Sequence, residues 1–138
     1  MIVNALTSLL DAYETGPSEV AVLITGDEKI RELNRDFRQM DCATDVLTFP
    51  GQLGVLGDIA ISVDTAQKQA EARGDSLENE IVYLAIHGGL HLLGFEDETD
   101  AGRDEMVRRM NDHARTLGMA GDDGWSSLPH DEEAHGAS

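Results

Sequence analysis

The chain has 138 residues, a hydrophobic fraction of 41% and a formal net charge of −17 at pH 7. This length and composition predict one globular domain with its own core. No apolar run approaches the roughly 20 residues of a membrane span, and no secretory leader is evident, so we expect a cytoplasmic protein without a membrane partner. The single cysteine, Cys42, excludes an internal disulfide and a cysteine-rich zinc finger, which agrees with a reducing compartment.

Hydropathy patterns and turn residues predict five helices and three strands. In chain order they are a helix over 2–13, a strand over 19–25, a helix over 28–38, a short strand over 45–48, a strand over 55–62, a helix over 64–73, a long helix capped by Asp75 or Ser76, and a last helix from Thr99 or Asp100 to about Leu117. Asp27 is expected to cap the second helix. Because helices and strands do not alternate regularly, we expect an α+β fold. The expected fold is a small mixed sheet packed against several helices, with the long helix buried at its centre.

The composition changes after residue 117. Residues 118–138 are rich in Gly, Asp, Glu, Ser and Ala, which predicts a disordered acidic tail behind a single domain over 1–117. Trp125, the only tryptophan, either docks this tail on the domain or is exposed. His130 and His135 are expected to be solvated, and His113 is expected to have a surface or capping role.

The long helix carries the most informative pattern of the chain. His87 and His91 are four residues apart, which places both imidazoles on one helix face, where they can share a metal ion. Gly94 can end the helix in a left-handed turn, so that a returning chain brings Asp97 to the same ion. Two histidines, a glycine break and a further ligand are typical of a mononuclear zinc hydrolase site. The alternative is a pair of core histidines bonded to backbone carbonyls.

Two glycines follow His87 directly in the sequence, and they bear on the type of reaction and on the packing of the helix. Gly88 stands where the common zinc peptidases carry a glutamate as general base, so peptidase activity of that kind is disfavoured. Gly88 and Gly89 have two interpretations. They either leave the helix surface bare for a large ligand or allow close packing of the helix against its neighbours.

Ordered motifs resemble the YbeY family of bacterial rRNA maturation factors, which are single-strand-specific endoribonucleases linked to ribosome quality control. The motifs lie within residues 18–117 and are, in order, Leu33-Asn34 with Phe37-Arg38, Thr44 to Pro50 (TDVLTFP), Leu56-Gly57-Asp58-Ile59, and His87 to Phe95 (HGGLHLLGF). The resemblance implies a metal-dependent endoribonuclease that matures rRNA, including the 16S 3′ end. It also implies an rRNA precursor and the small ribosomal subunit or ribosomal proteins as partners, with no DNA target.

The resemblance further implies residue roles. His87, His91 and Asp97 would hold one divalent ion, with Zn²⁺ expected, and Arg38 would be the catalytic group that pairs with a phosphate and stabilises the developing charge. Asp58 would orient a ligand histidine through a hydrogen bond. The general base stays open between a metal-activated water and the 2′-hydroxyl of the RNA.

Three features depart from the family pattern. The family's third ligand is a histidine, whereas Asp97 is a harder donor that could shift the metal preference towards manganese or magnesium. Alternatively, 96–100 is a solvated acidic loop and the site is degenerate.

The family usually opens with a strand before its first helix, so either this edge strand is missing or the true start lies upstream. The net charge of −17 opposes tight RNA binding, although four of the ten basic residues lie within 29–38.

These departures keep a second class of function open. In it, the chain is a non-catalytic ribosome-assembly factor whose acidic surface docks on basic ribosomal proteins, and its metal is structural or absent. A metallopeptidase is a third alternative, which the missing glutamate at position 88 disfavours.

Overall fold

The computed structural model describes residues 2–13, 19–52, 55–119, 121 and 125. The elements are, in chain order, α1 (Ile2–Ala12), β1 (Glu19–Thr25), α2 (Asp27–Arg38), β2 (Val46–Pro50), β3 (Val55–Ser62), α3 (Val63–Arg73), α4 (Leu77–Leu92) and α5 (Asp100–Thr116). The predicted elements are all present with bounds that agree to within two residues, and the α+β class is confirmed. Within the described ranges, no helix has the length and apolar character needed to cross a membrane.

The three strands form one mixed sheet in the order β1-β3-β2. β1 pairs with β3 in parallel, with Val22 opposite Ile59, and β2 pairs with β3 antiparallel, with Thr48 opposite the same residue. β3 is therefore the central strand, and β2 forms an edge of the sheet among the described residues.

The sheet separates two apolar clusters of unequal size. On one face, Ile59 and Ile61 of β3 join the main core with residues of α1, α3, α4 and α5. On the other face, Ala60 and Leu47 pack with Ile30 of α2 in a smaller cluster. Successive strand residues point to opposite faces, which explains why neighbours in β3 belong to different clusters. The sheet consequently has α2 on one side and α4 on the other.

Helix α4 is the buried central helix that the sequence predicts. Ten of its sixteen residues are buried, His87 among them. A Cβ at Gly88 would lie 3.1 Å from Cγ2 of Ile59 in the sheet, and one at Gly89 would lie 2.8 Å from Cδ2 of Leu9 in α1. The two glycines thus let α4 approach both neighbours closely, which favours the packing interpretation over a bare surface for a ligand.

Two local predictions are wrong. The N-cap of α2 is Gly26, and the carboxylate of Asp27 instead accepts a hydrogen bond from the hydroxyl of Thr65 in α3 at 2.6 Å. His113 is buried rather than at the surface, and its Nε2 lies 2.9 Å from Oγ of Ser8, which links α5 to α1.

Most of the predicted tail, His130 and His135 included, lies outside the described residues, so its disorder and the boundary at 117 stay predictions. Trp125 is described and is only 2% exposed, because its ring packs against His87 and Tyr83 of α4. Of the two alternatives for Trp125, the structure favours docking on the domain.

Candidate metal centre

Three side chains converge at the C-terminal end of α4. The Nε2 atoms of His87 and His91 are 3.1 Å apart. Oδ2 of Asp97 lies 3.4 Å from Nε2 of His87 and 3.5 Å from Nε2 of His91. The ligand atoms of these residues all lie within 4.8 Å of one another, a grouping found nowhere else among the described histidines, cysteines and carboxylates. The three residues that the sequence selects are brought together, and the group could hold a metal ion.

The helix supplies the two nitrogen donors in a fixed relationship. His87 and His91 are one turn apart on α4, and their ring centroids are 4.6 Å apart with the rings nearly perpendicular, at 84°. The side chain of His87 is 5% exposed and that of His91 is 16% exposed. One donor is thus enclosed by the core, whereas the other borders the surface.

Gly94 directs the chain back towards the histidines. Its φ of +104° lies in the region that favours glycine, and no atom of another described residue beyond its chain neighbours lies within 4 Å of the position a Cβ would take. The N–H of Gly94 donates to the carbonyl oxygen of His91, and the N–H of Phe95 donates to that of Leu90. These two bonds form a Schellman motif, which ends α4 and reverses the chain so that Asp97 returns to the helix end.

The first turn of α5 then holds the segment that carries Asp97. The hydroxyl of Thr99 caps α5 by accepting a hydrogen bond from the N–H of Gly102 at 2.9 Å. A Cβ at Gly102 would lie 2.5 Å from the carbonyl oxygen of Glu96, so a side chain there would displace this segment. Arg103 donates to the carbonyl oxygen of Asp97 at 3.3 Å. Sequence reasoning missed Gly102 and Arg103, although a glycine three residues after an N-cap threonine is a readable signal.

Asp97 is held in its charged form. Burial alone would raise the pKa of this carboxyl, but hydrogen bonds from His87 and His91, aided by their positive charge when protonated, outweigh it. The net effect holds the pKa of Asp97 well below its usual range. The third donor is therefore an ionised oxygen, which is the form that binds a cation.

A second group of polar side chains lies behind His87. The ring of Trp125 has its centroid 5.2 Å from that of His87, and its Nε1 donates to the carboxylate of Glu80 at 2.9 Å. Glu80 is fully buried and also accepts from Arg73 at 2.5 Å. Sequence reasoning missed this group. The signal that could have revealed it was a glutamate directly before the apolar run of residues 81–86 in α4.

The structure does not bring Arg38 to the three ligands. Its guanidinium donates to the carbonyl oxygen of Thr48 at 2.5 Å and lies 5.7 Å from the centroid of the Phe49 ring. Burial lowers the pKa of Arg38. Because α2 packs on the face of the sheet opposite α4, Arg38 lies across the edge strand β2 from the histidines. Within the described residues, no contact joins it to the ligands.

In the part of the chain that the structure describes, no contact joins Asp58 to a histidine, so the expected orienting hydrogen bond is not formed. Asp58 is exposed and pairs in register with Phe49, whereas the next residue, Ile59, faces Gly88 of α4. Strand alternation thus directs Asp58 to the face away from the metal ligands.

The chain is thus a small α+β protein in which His87, His91 and Asp97 form a group that could hold a metal ion. The chain matches the family model for endoribonuclease YbeY over residues 1–118. It therefore belongs to the endoribonuclease YbeY family, which confirms the resemblance read from the motifs.

Individual relatives agree with this assignment. An endoribonuclease YbeY from Solibacter usitatus is 56% identical over 81 residues, which cover 59% of this chain and 55% of the relative. One from Thermus thermophilus is 48% identical and covers 70% of this chain and 75% of the relative. The solution structure of TM1509 from Thermotoga maritima has a TM-score of 0.59 at 28% identity, covering 85% of this chain and 84% of that one.

Proposed function

We propose that the chain is a metal-dependent endoribonuclease that processes rRNA precursors, with His87, His91 and Asp97 as ligands of one Zn²⁺. The spacing of the donor atoms carries this proposal. Their three separations are 3.1, 3.4 and 3.5 Å. A tetrahedral ion with bonds of about 2.0–2.2 Å separates its ligands by roughly 3.3–3.6 Å. Two of the observed separations lie in this range, and the third, between the two histidines, is slightly shorter at 3.1 Å. The fourth position is then left for water or substrate.

A divalent ion held here would polarise a phosphoryl oxygen and lower the pKa of a water towards about 7. The contribution of the chain is to fix the three donors and to exclude water from the His87 side. Residue 88 is a glycine, so α4 offers no carboxylate beside His87 as a general base. Ile59 fills the space next to this glycine. The proton acceptor therefore remains open between activated water and the 2′-hydroxyl of the RNA.

Arg38 and Phe37 supply an RNA-binding surface on the other side of β2. Among the described residues, Arg38 has no carboxylate partner, which leaves its charge for a phosphate. Phe37 is 66% exposed and lies edge-on to Phe49, with ring centroids 5.5 Å apart. An exposed aromatic ring beside an arginine suits the stacking of an unpaired base. A single strand that crosses the end of β2 would meet this surface and the metal centre in turn, so Arg38 would hold a phosphate near the one that reacts at the metal.

The strong negative charge of the chain affects how tightly it can bind RNA and which proteins it can bind. Few phosphate contacts are available in a chain of net charge −17, so the salt dependence of RNA binding should be shallow. The acidic surface is complementary to basic ribosomal proteins of the small subunit in the cytoplasm. The same observation favours the second candidate, a non-catalytic assembly factor that binds those proteins.

A cleavage assay tests the proposal. The chain is incubated with an end-labelled single-stranded RNA, the matching duplex and a DNA of the same sequence, before and after removal of metal by a chelator. Cleavage of the single-stranded RNA alone is expected, with loss on chelation and recovery on adding Zn²⁺. His91→Ala should abolish cleavage, and Arg38→Ala should raise the KM for RNA without changing metal content.

Glu71→Gln is the matched control, because Glu71 is exposed on α3 and its carboxylate accepts a hydrogen bond from Gln67 of the same helix. Equal cleavage by wild type and His91→Ala would rule out this site as the source of activity. Absence of cleavage, together with binding to small subunits that survives His87→Ala and His91→Ala, would establish the assembly factor instead.

A further inference from the structure

Trp125 lies outside the part of the chain that matches the family, yet it is fixed against α4 by several contacts. It is 2% exposed, and its ring centroid lies 5.2 Å from that of His87 and 6.2 Å from that of Tyr83. Its Nε1 donates to Oε2 of Glu80 at 2.9 Å. Glu80, Tyr83 and His87 are spaced by three and four residues, so they share one face of α4. The indole covers this face from the buried carboxylate to the metal ligand.

A buried ion pair fixes the position of the indole. Nη1 of Arg73 lies 2.5 and 2.6 Å from the two carboxylate oxygens of Glu80, which is fully buried. The guanidinium carbon of Arg73 also lies 5.1 Å from the centroid of the Trp125 ring. The ring is thus held at its edge by the carboxylate and over its face by the cation. Glu80 in turn depends on both donors, because a buried carboxylate needs its hydrogen-bonding capacity satisfied.

His87 is consequently enclosed by two rings. His91 lies on one side, at a centroid distance of 4.6 Å, and Trp125 lies on another, at 5.2 Å with the planes inclined by 54°. A metal ligand gains affinity when neighbouring groups restrict its orientation and exclude water. We propose that Trp125 is a positioning residue for His87, so that its indole completes the surroundings of the metal centre. This inference rests on the metal centre of the proposed function.

The sole tryptophan makes this docking measurable in the full-length chain. The emission of metal-free wild type is expected to be that of a buried indole. Co²⁺, a paramagnetic quencher, should reduce it with a midpoint that coincides with metal uptake. In His91→Ala, which leaves Trp125 in place, the quenching should be lost. Emission typical of an exposed indole, or an absence of quenching while Co²⁺ is bound, would overturn the proposal.

The energetic test compares the Zn²⁺ affinity of variants by competition with a chromophoric chelator. Trp125→Ala should weaken binding by roughly tenfold or more, as removal of groups that support a ligand generally does. Trp125→Phe keeps a ring but loses the N–H, and it should fall between Trp125→Ala and wild type. Ile30→Val, in the small cluster across the sheet, is the control that lowers stability without changing affinity.

The outcomes separate this inference from the proposed function. If wild type takes up no metal, both fail. If wild type binds Zn²⁺ and folded Trp125→Ala or Trp125→Phe binds it equally tightly, only the positioning role is overturned.

Discussion

Oδ2 of Asp97 lies 3.5 Å from Nε2 of His91, on the far side of the turn that ends α4. The two donors come from a helix and from the segment that leaves it, so their separation is set by a single local reversal of the chain. The centre is therefore assembled from one short stretch of sequence, and its geometry depends on how that turn is made.

Gly94→Ala tests the turn. No atom would contact the added Cβ, but the φ of +104° is costly for alanine, so we expect a loss of about 1–2 kcal/mol in the free energy of unfolding. Metal affinity should also fall, because the turn positions Asp97. Gly74→Ala is the matched control: Gly74 ends α3 at a φ of +68°, also with free space around it. It should cost similar stability and leave metal affinity unchanged, and equal effects of both variants on affinity would contradict this account.

Asp97→Asn tests the charge of the third donor in metal-free protein. Folding lowers the pKa of Asp97, so below about pH 4 the unfolded state binds more protons and stability rises with pH. The stabilisation that ionised Asp97 gives is fully present above the pKa of this carboxyl in the unfolded state. It is lost as the pH falls towards the pKa of the carboxyl in the folded state. Urea unfolding from pH 3 to pH 7 should therefore show that the advantage of wild type over Asp97→Asn shrinks as the pH falls. A stability difference between wild type and Asp97→Asn that does not change with pH would show that Asp97 is not held in its charged form.

Arg73→Ala tests the buried pair behind His87. It leaves the carboxylate of Glu80 buried with one fewer donor, and the expected loss of unfolding free energy is about 3–5 kcal/mol. Arg108→Ala removes an exposed pair with Glu105 and should cost no more than about 1 kcal/mol. Denaturant titration of both variants checks the difference, and comparable losses would show that the Arg73 pair is of little structural importance.

Much of the fold follows from local patterns in the sequence. The four-residue spacing of His87 and His91, the glycine at 94 and the period-two strands are local features, and the structure places the corresponding elements as predicted. Asp58 was misplaced, because a motif resemblance does not reveal which face of a strand a residue occupies. The burial of His113 was missed, and Trp125 was left open between docking and exposure, for a related reason. Their burial depends on contacts with α1 and α4, which are far away in sequence.

Phe37→Ala tests the proposed RNA surface. Stacking of a base on an aromatic side chain contributes about 1–3 kcal/mol, so binding of a single-stranded RNA to metal-free protein should weaken roughly 5- to 150-fold. The fold should persist because Phe37 is 66% exposed. Phe37→Tyr keeps the ring and should bind like wild type. Unchanged RNA affinity in Phe37→Ala, measured by fluorescence anisotropy, would place the RNA elsewhere.

The most direct test of the metal centre is elemental analysis of the purified chain beside His91→Ala and Asp97→Ala. About one zinc ion per wild-type chain is expected, with loss of that ion in both variants, because each removes one of three convergent donors. Absence of metal from wild type, with no uptake on titration, would contradict this expectation. In that case the exchange of the family's third histidine for Asp97 would have abolished the site, and the assembly-factor alternative would stand.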